Sequence, residues 1–210
     1  MKKILSLLVR DERGNITVMF LLFVTILFGF CAIGVDMGAA FIQKAKQDNL
    51  TQLACDEKMS PAKTLVIKNS SDPARYLSES IVETLRQNGF DGGVEIYYYE
   101  ACLNDLGDRD RLYVYGVATT SVYESIFGGI LGKKDVDISS FSVKSAHPYA
   151  GDKVWRPAEL ESDPSLDLCV CYKVDEGEDV SDLSMVSGMS FSDIPDSMQA
   201  EIEKRLNNLE

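Results

Sequence analysis

Residues 16–35 read ITVMFLLFVTILFGFCAIGV, twenty positions without a charge. As one α-helix they span about 30 Å, the thickness of a bilayer's hydrocarbon core. Lys2, Lys3, Arg10 and Arg13 precede the run, Gly14 sits between the charges and the apolar stretch, and Asp36 closes it. Basic residues beside a membrane helix stay cytoplasmic, and Asp11 and Glu12 weigh little against them. The stretch therefore predicts a single transmembrane helix with the N-terminus cytoplasmic and the rest of the chain exported. A cleaved secretory signal has a shorter apolar core, about 7 to 15 residues, followed by a small-residue cleavage site. Cys31-Ala32-Ile33 is a weak rival of that kind, because the run continues into helix-compatible sequence from Ala39 to Lys46.

Outward from this anchor the pattern predicts an α+β chain. The helix is expected to continue to about Asp56 as one long rod, and Pro61 to stop any extension. Asp72-Pro73 opens a second helix, with a capping carboxylate and Pro at the first helical position. Leu77, Ile81 and Leu85 form its buried stripe, and Asn88-Gly89 ends it. Val94 to Glu100 alternates as a strand, with Val94, Ile96 and Tyr98 on one face and Glu95, Tyr97 and Tyr99 on the other. A polar turn from Asn104 to Asp110 leads to a second alternating run, Leu112 to Ala118, so the two runs pair as a hairpin. Ser121 to Leu131 reads as a short core-packing helix or apolar connection, since Val122, Ile126 and Ile130 share a stripe; a partner-binding or membrane-interface helix is the sharper reading. Val136 to Ser145 supplies a third strand, with a phase switch near Ser139-Ser140 that suggests a bulge. Leu166 to Val174 reads as one more strand, Asp175 to Asp182 as an acidic loop, and Ile194, Met198, Ile202, Leu206 and Leu209 as the stripe of a final helix. The expected plan is a long N-terminal helix packed on a small antiparallel sheet. Its parts are a leader (1–14), a transmembrane helix (15–36), an exported helix-plus-sheet domain (37–150) and an acidic C-terminal extension (151–210). The extension adds to the sheet, folds separately or orders on a partner.

Charge and chemistry exclude several functions. Residues 1–150 carry 16 basic and 18 acidic side chains, whereas residues 151–210 carry 5 and 15. Nucleic-acid binding needs the opposite sign, and so does docking on anionic lipid. His147 is the lone histidine and has no context for a nucleophile–base pair. There is no Gly-x-Ser-x-Gly, no phosphate-binding glycine loop and no Cys-x-x-Cys, so no enzyme activity, cofactor or metal is expected. Cys31 belongs to the apolar run. Cys55, Cys102, Cys169 and Cys171 lie beyond it, where disulfides persist if the compartment is oxidising. Four cysteines allow three pairings. Cys169 and Cys171 share a strand face near the upper limit for bridging each other, so each would pair elsewhere; Cys55 with Cys102 is another candidate pair.

Arg10-Asp11-Glu12-Arg13-Gly14, the apolar helix, Val35-Asp36 and the polar helix with Gln47, Asn49, Leu50, Ala54 and Asp56 resemble the N-terminal segment of TadE/TadG-like Flp pilus assembly proteins. A looser similarity to the C-terminal half of TadE-like pseudopilins covers residues 112–146. The resemblance implies a pilin-like fold and a prepilin leader cut by a prepilin peptidase after Gly14, leaving Asn15 first. It also implies residence in the bacterial cytoplasmic membrane, with incorporation into a surface pilus as a further step. Pilins usually carry Glu at the fifth mature position, where Met19 stands here. TadG-like members often lack that Glu and keep an Asp after the span, as Asp36 does, though this chain is too short for their large von Willebrand-type domain. Asp137-Ile138-Ser139-Ser140-Phe141 resembles a metal-ion adhesion motif but lacks its third hydroxyl. The implied role is structural or accessory: the anchor packs beside pilin, pseudopilin or Tad secretion-platform helices through Phe20, Phe23, Leu27 and Phe30. The alternative is an envelope-anchored binding protein unrelated to pili, recognising its target through the acidic tail and the Tyr97–Tyr99 region.

Overall fold

The computed structural model describes residues 12–58, 61–102, 110–128, 135–145, 149–150, 168–186 and 188–207. Helix α1 runs from Glu12 to Lys58, α2 from Pro61 to Lys68, α3 from Pro73 to Gln87 and α4 from Asp196 to Asn207. The strands are β1 (Gly93–Cys102), β2 (Asp110–Glu124), β3 (Asp135–Ser145), β4 (Tyr149–Ala150), β5 (Leu168–Val174) and β6 (Ser184–Val186). The chain is thus α+β, with a long N-terminal apolar helix and a small antiparallel sheet. Its contacts divide it into two compact units. One takes in the helix up to Gln43 with segment 123–136, and the other takes in residues 44–122 and 137–210.

In the larger unit the strand order is β3-β2-β1-β5-β6, with β4 also pairing β2. The expected hairpin is present: β1 and β2 pair antiparallel with Tyr98 opposite Tyr115 and Val94 opposite Thr119. The alternation read from β1 sets its two faces. Val94, Ile96 and Tyr98 join a core under α1 and α3, with Leu77, Ile81 and Leu85. Tyr99 and Ala101 point the other way, into a second core closed by Ile194 and by Met198 and Ile202 of α4. Both faces of the sheet are therefore covered.

Local chemistry explains the α3 boundaries. The Asp72 carboxylate accepts the Arg75 N–H at 3.1 Å, and Pro73 occupies the first turn where its missing N–H costs nothing. At the other end Gly89 turns left-handed at φ +76°, which lets the Phe90 N–H reach back to the Leu85 carbonyl at 3.0 Å. α1 ends at Lys58, before Pro61, and Pro61 also opens α2 in the same manner as Pro73.

Three further expectations meet the structure. First, of the alternatives open for the acidic extension, its described residues take the first and add to the sheet: β5 lies between β1 and β6, with Tyr97 opposite Cys171 and Tyr99 opposite Cys169. Its acidic loop is held by Arg86, whose guanidinium donates to the Glu178 carbonyl at 3.1 Å and the Asp175 carbonyl at 3.3 Å. Second, β3 needs no bulge to explain its pattern. Ser140, Ser142 and Lys144 meet Asp48, Cys55 and Asp56 of α1, while Phe141 and Val143 pack under α4. Its apolar residues change face because the second core needs them there. Third, Ser121 to Glu124 is not helical but extends β2. Val122 and Ile126 are exposed rather than core-packed, and 129–131 lie outside the described residues. So do His147, Leu209 and the expected turn from Asn104 as far as 109.

Candidate functional site

Within the larger unit, α1 meets the sheet through Gln47, Thr51, Ala54 and Cys55, all buried. These positions recur at helical spacing, yet the stripe is small and polar. It is satisfied by a specific network. Gln47 Nε2 donates to the Thr119 carbonyl at 2.8 Å, and Ser121 Oγ donates to Gln47 Oε1 at 2.7 Å. The Thr51 and Thr119 hydroxyls lie 2.8 Å apart, and Tyr115 Oη donates to the Cys55 carbonyl at 2.9 Å. Buried polar groups so paired favour one register of helix on sheet, because a shifted helix would leave several without partners.

The smaller unit contains the apolar run. α1 is long and apolar enough to cross a membrane, and none of its most apolar stretch is buried. Phe20, Phe23, Leu27 and Phe30 are exposed, at 66%, 62%, 51% and 70%. At 100° per residue they cluster on one side of the helix, together with Gly34 and Gly38. A Cβ added at either glycine would meet nothing within 4 Å. The Gly34-x-x-x-Gly38 spacing, which lets a second helix approach closely, was available in the sequence but not singled out. Gly14 and Asn15 fall in the first turn of α1.

The opposite side of the helix carries different chemistry. Thr25, Phe28, Gly29, Ala32 and Val35 line a groove of about 440 Å³, and Phe127 from the segment after β2 completes it. One turn beyond Ala32 stands Asp36. Its carboxylate accepts the backbone N–H groups of Ile126 and Phe127, both at 2.9 Å, and the Ser125 hydroxyl. Tyr123 Oη approaches at 3.5 Å. Ser125 Oγ in turn accepts the Gly128 N–H at 2.6 Å, as a helix-capping serine does. Asp36 thus latches the segment after β2 beside the end of the apolar run. The sequence reading saw Asp36 as a boundary marker and missed this role. Its partners lie about 90 positions away, and nothing local signals them.

The cysteines separate by location. Cys55 belongs to the core under α1, while Cys169 packs against the core under α4, on the other face of the sheet. Cys55, Cys169 and Cys171 are free thiols; the side chain of Cys102 lies outside the described residues. Burial pushes Cys55 and Cys169 up to about 11 and Cys171 up to about 12. Among the described residues no group of three or more His, Cys, Asp or Glu side chains is placed to hold a metal ion.

The Tyr97–Tyr99 surface of the binding-protein alternative is not available as expected. Tyr98 and Tyr99 are buried. Tyr97 is half-buried, with Phe141 edge-on at 6.5 Å. Comparison with known families, curated proteins and solved structures finds no match to this chain.

Proposed function

We propose that the chain is a single-pass membrane protein that acts structurally in assembly of a Flp/Tad-type pilus or its associated secretion system, as a TadE/TadG-like accessory component. The observation that carries the anchor is the 16–35 run: apolar, helical and with no protein packed over most of its surface. Bare apolar side chains on this scale are stable in lipid and not in water. The N-terminus is cytoplasmic by the positive charges before the run, so the sheet is exported.

A structural rather than catalytic role fits the remainder. The face carrying Phe20, Phe23, Leu27 and Phe30 is free for a partner helix, and Gly34 and Gly38 extend it. The sheet's polar contact with α1 ties the exported part to the same helix. Met19 in place of the pilin glutamate favours an accessory position over that of bulk filament subunit, and the pilus assignment itself rests on the resemblance at residues 10–58.

The test is deletion of the gene in its native host, scored for surface pili and for secretion, with N-terminal analysis of the protein from its membrane. Loss of pili, restored by the wild-type chain and not by one with Phe23→Ala, Leu27→Ala and Phe30→Ala together, is the expected result. A start at Asn15 would add prepilin processing. Normal piliation after deletion refutes the pilus role and leaves a membrane-anchored binding protein.

A further inference from the structure

We infer that the segment after β2 makes a second contact with the membrane, with Ile126 and Phe127 seated in the outer lipid interface beside the anchor. The inference rests on the anchor reading. Its first support is depth. The backbone N–H groups of Ile126 and Phe127 both bond the carboxylate of Asp36, one position beyond the last residue of the charge-free run. A bilayer that ends its hydrocarbon core near Val35 therefore reaches these two residues at the headgroup boundary.

The second support is direction and chemistry. Phe127 completes the groove with Ala32 and Val35, which belong to the span itself, so its ring points back along the anchor toward the hydrocarbon. Ile126 is 69% exposed, and nothing else in the described chain covers it. In water an isoleucine left this open forgoes its burial, and lipid supplies that burial without any further protein. Three backbone N–H groups of the turn are already paired. Asp36 takes two N–H groups and Ser125 takes a third, so the backbone enters the interface with few unpaired donors, the condition for irregular structure there. A lipid occupant needs no charge complementarity, consistent with the absence of Lys and Arg between Ser121 and Leu131.

The experiment places one tryptophan at a time in the full chain, reconstituted in phosphatidylcholine vesicles, with the native Trp155 changed to Phe. Ile126→Trp reports the tip and Phe23→Trp reports the anchor. Lipids brominated near the headgroup or near the chain end quench by depth, and acrylamide quenches from water. The expected result is blue-shifted emission from Ile126→Trp, quenched most by the shallow bromines and protected from acrylamide, with Phe23→Trp quenched most by the deep bromines. A deeply quenched Phe23→Trp beside an Ile126→Trp open to acrylamide overturns the inference and leaves the anchor standing. An Phe23→Trp open to acrylamide overturns the anchor reading and the inference with it.

Discussion

Lysine at the centre of the run tests the anchor most directly, because the structure separates insertion from folding there. Thirteen Leu, Ile, Val and Phe residues stand between Ile16 and Val35. At about 0.3 to 0.6 kcal/mol each, they favour insertion by about 4 to 8 kcal/mol before the smaller effects of the other side chains. A central lysine costs about 2.5 to 3.5 kcal/mol and forfeits the residue it replaces, so Leu27→Lys shifts insertion by about 3 to 4 kcal/mol. Phe23→Lys with Leu27→Lys shifts it by about 6 to 8 kcal/mol, which matches the whole driving force. Phe23 and Leu27 are exposed and lie on the side of the helix away from Phe127 and Asp36, so neither change removes a contact within the described chain. Translation with microsomes, with a glycosylation site placed in the exported region, reads the inserted fraction. The single variant should insert partly and the double variant hardly at all, while thermal unfolding of the sheet region stays at the wild-type midpoint. A double variant that inserts like wild type refutes the energetic reasoning. A double variant that unfolds the sheet region shows that the helix is a packed core element and not an anchor.

Two further outcomes follow from the larger unit. Ile202, fully buried under the sheet, should lose about 2 to 5 kcal/mol of stability on Ile202→Ala in urea unfolding of the full chain in detergent; a loss below about 0.5 kcal/mol would make α4 a detachable appendage. Buried Cys55 and Cys171 should resist iodoacetamide at pH 8 and label in urea, read by peptide mass. Because folding raises these thiols to about 11 and about 12, the folded chain keeps protons that the unfolded chain releases, so stability should be intact below about pH 8 and fall as pH rises toward 12. Stability that increases over that window contradicts the burial.

What was legible depended on how local the signal is. The hairpin and α3 were readable because alternation in Val94 to Glu100, the four-residue spacing of Leu77, Ile81 and Leu85, and the Asp72-Pro73 and Gly89 signals are all written within a few residues. The position of β5 was not, since Leu168 to Val174 announces a strand but not its neighbours. The contact of α1 with the sheet was hidden for a different reason. Gln47 and Thr51 are residues that a hydrophobic pattern assigns to solvent, and their burial is compensated by Thr119 and neighbouring groups far along the chain. Ser121 to Glu124 was misread because Val122 and Ile126 fit a helical stripe. The sheet instead continues the strand, with β3 beside it, and tertiary pairing overrides a short periodic match.

Asp36 connects these levels. As a charge it ends the apolar run, and as an acceptor it holds Ile126 and Phe127. If the helix is the proposed anchor, one residue consequently sets the depth of both the helix and the turn. An uncharged, apolar residue there would lengthen the run and let the helix settle deeper, at 1.5 Å per added residue. It would also release the N–H groups of the turn, which in lipid would have no water to bond. The carboxylate prevents both at once. On the proposed anchor, it would stay at the boundary because an ionised group resists entry into hydrocarbon, and its hydrogen bonds would keep the apolar pair at the same boundary. A boundary residue in the sequence is thereby a positioning residue in the fold.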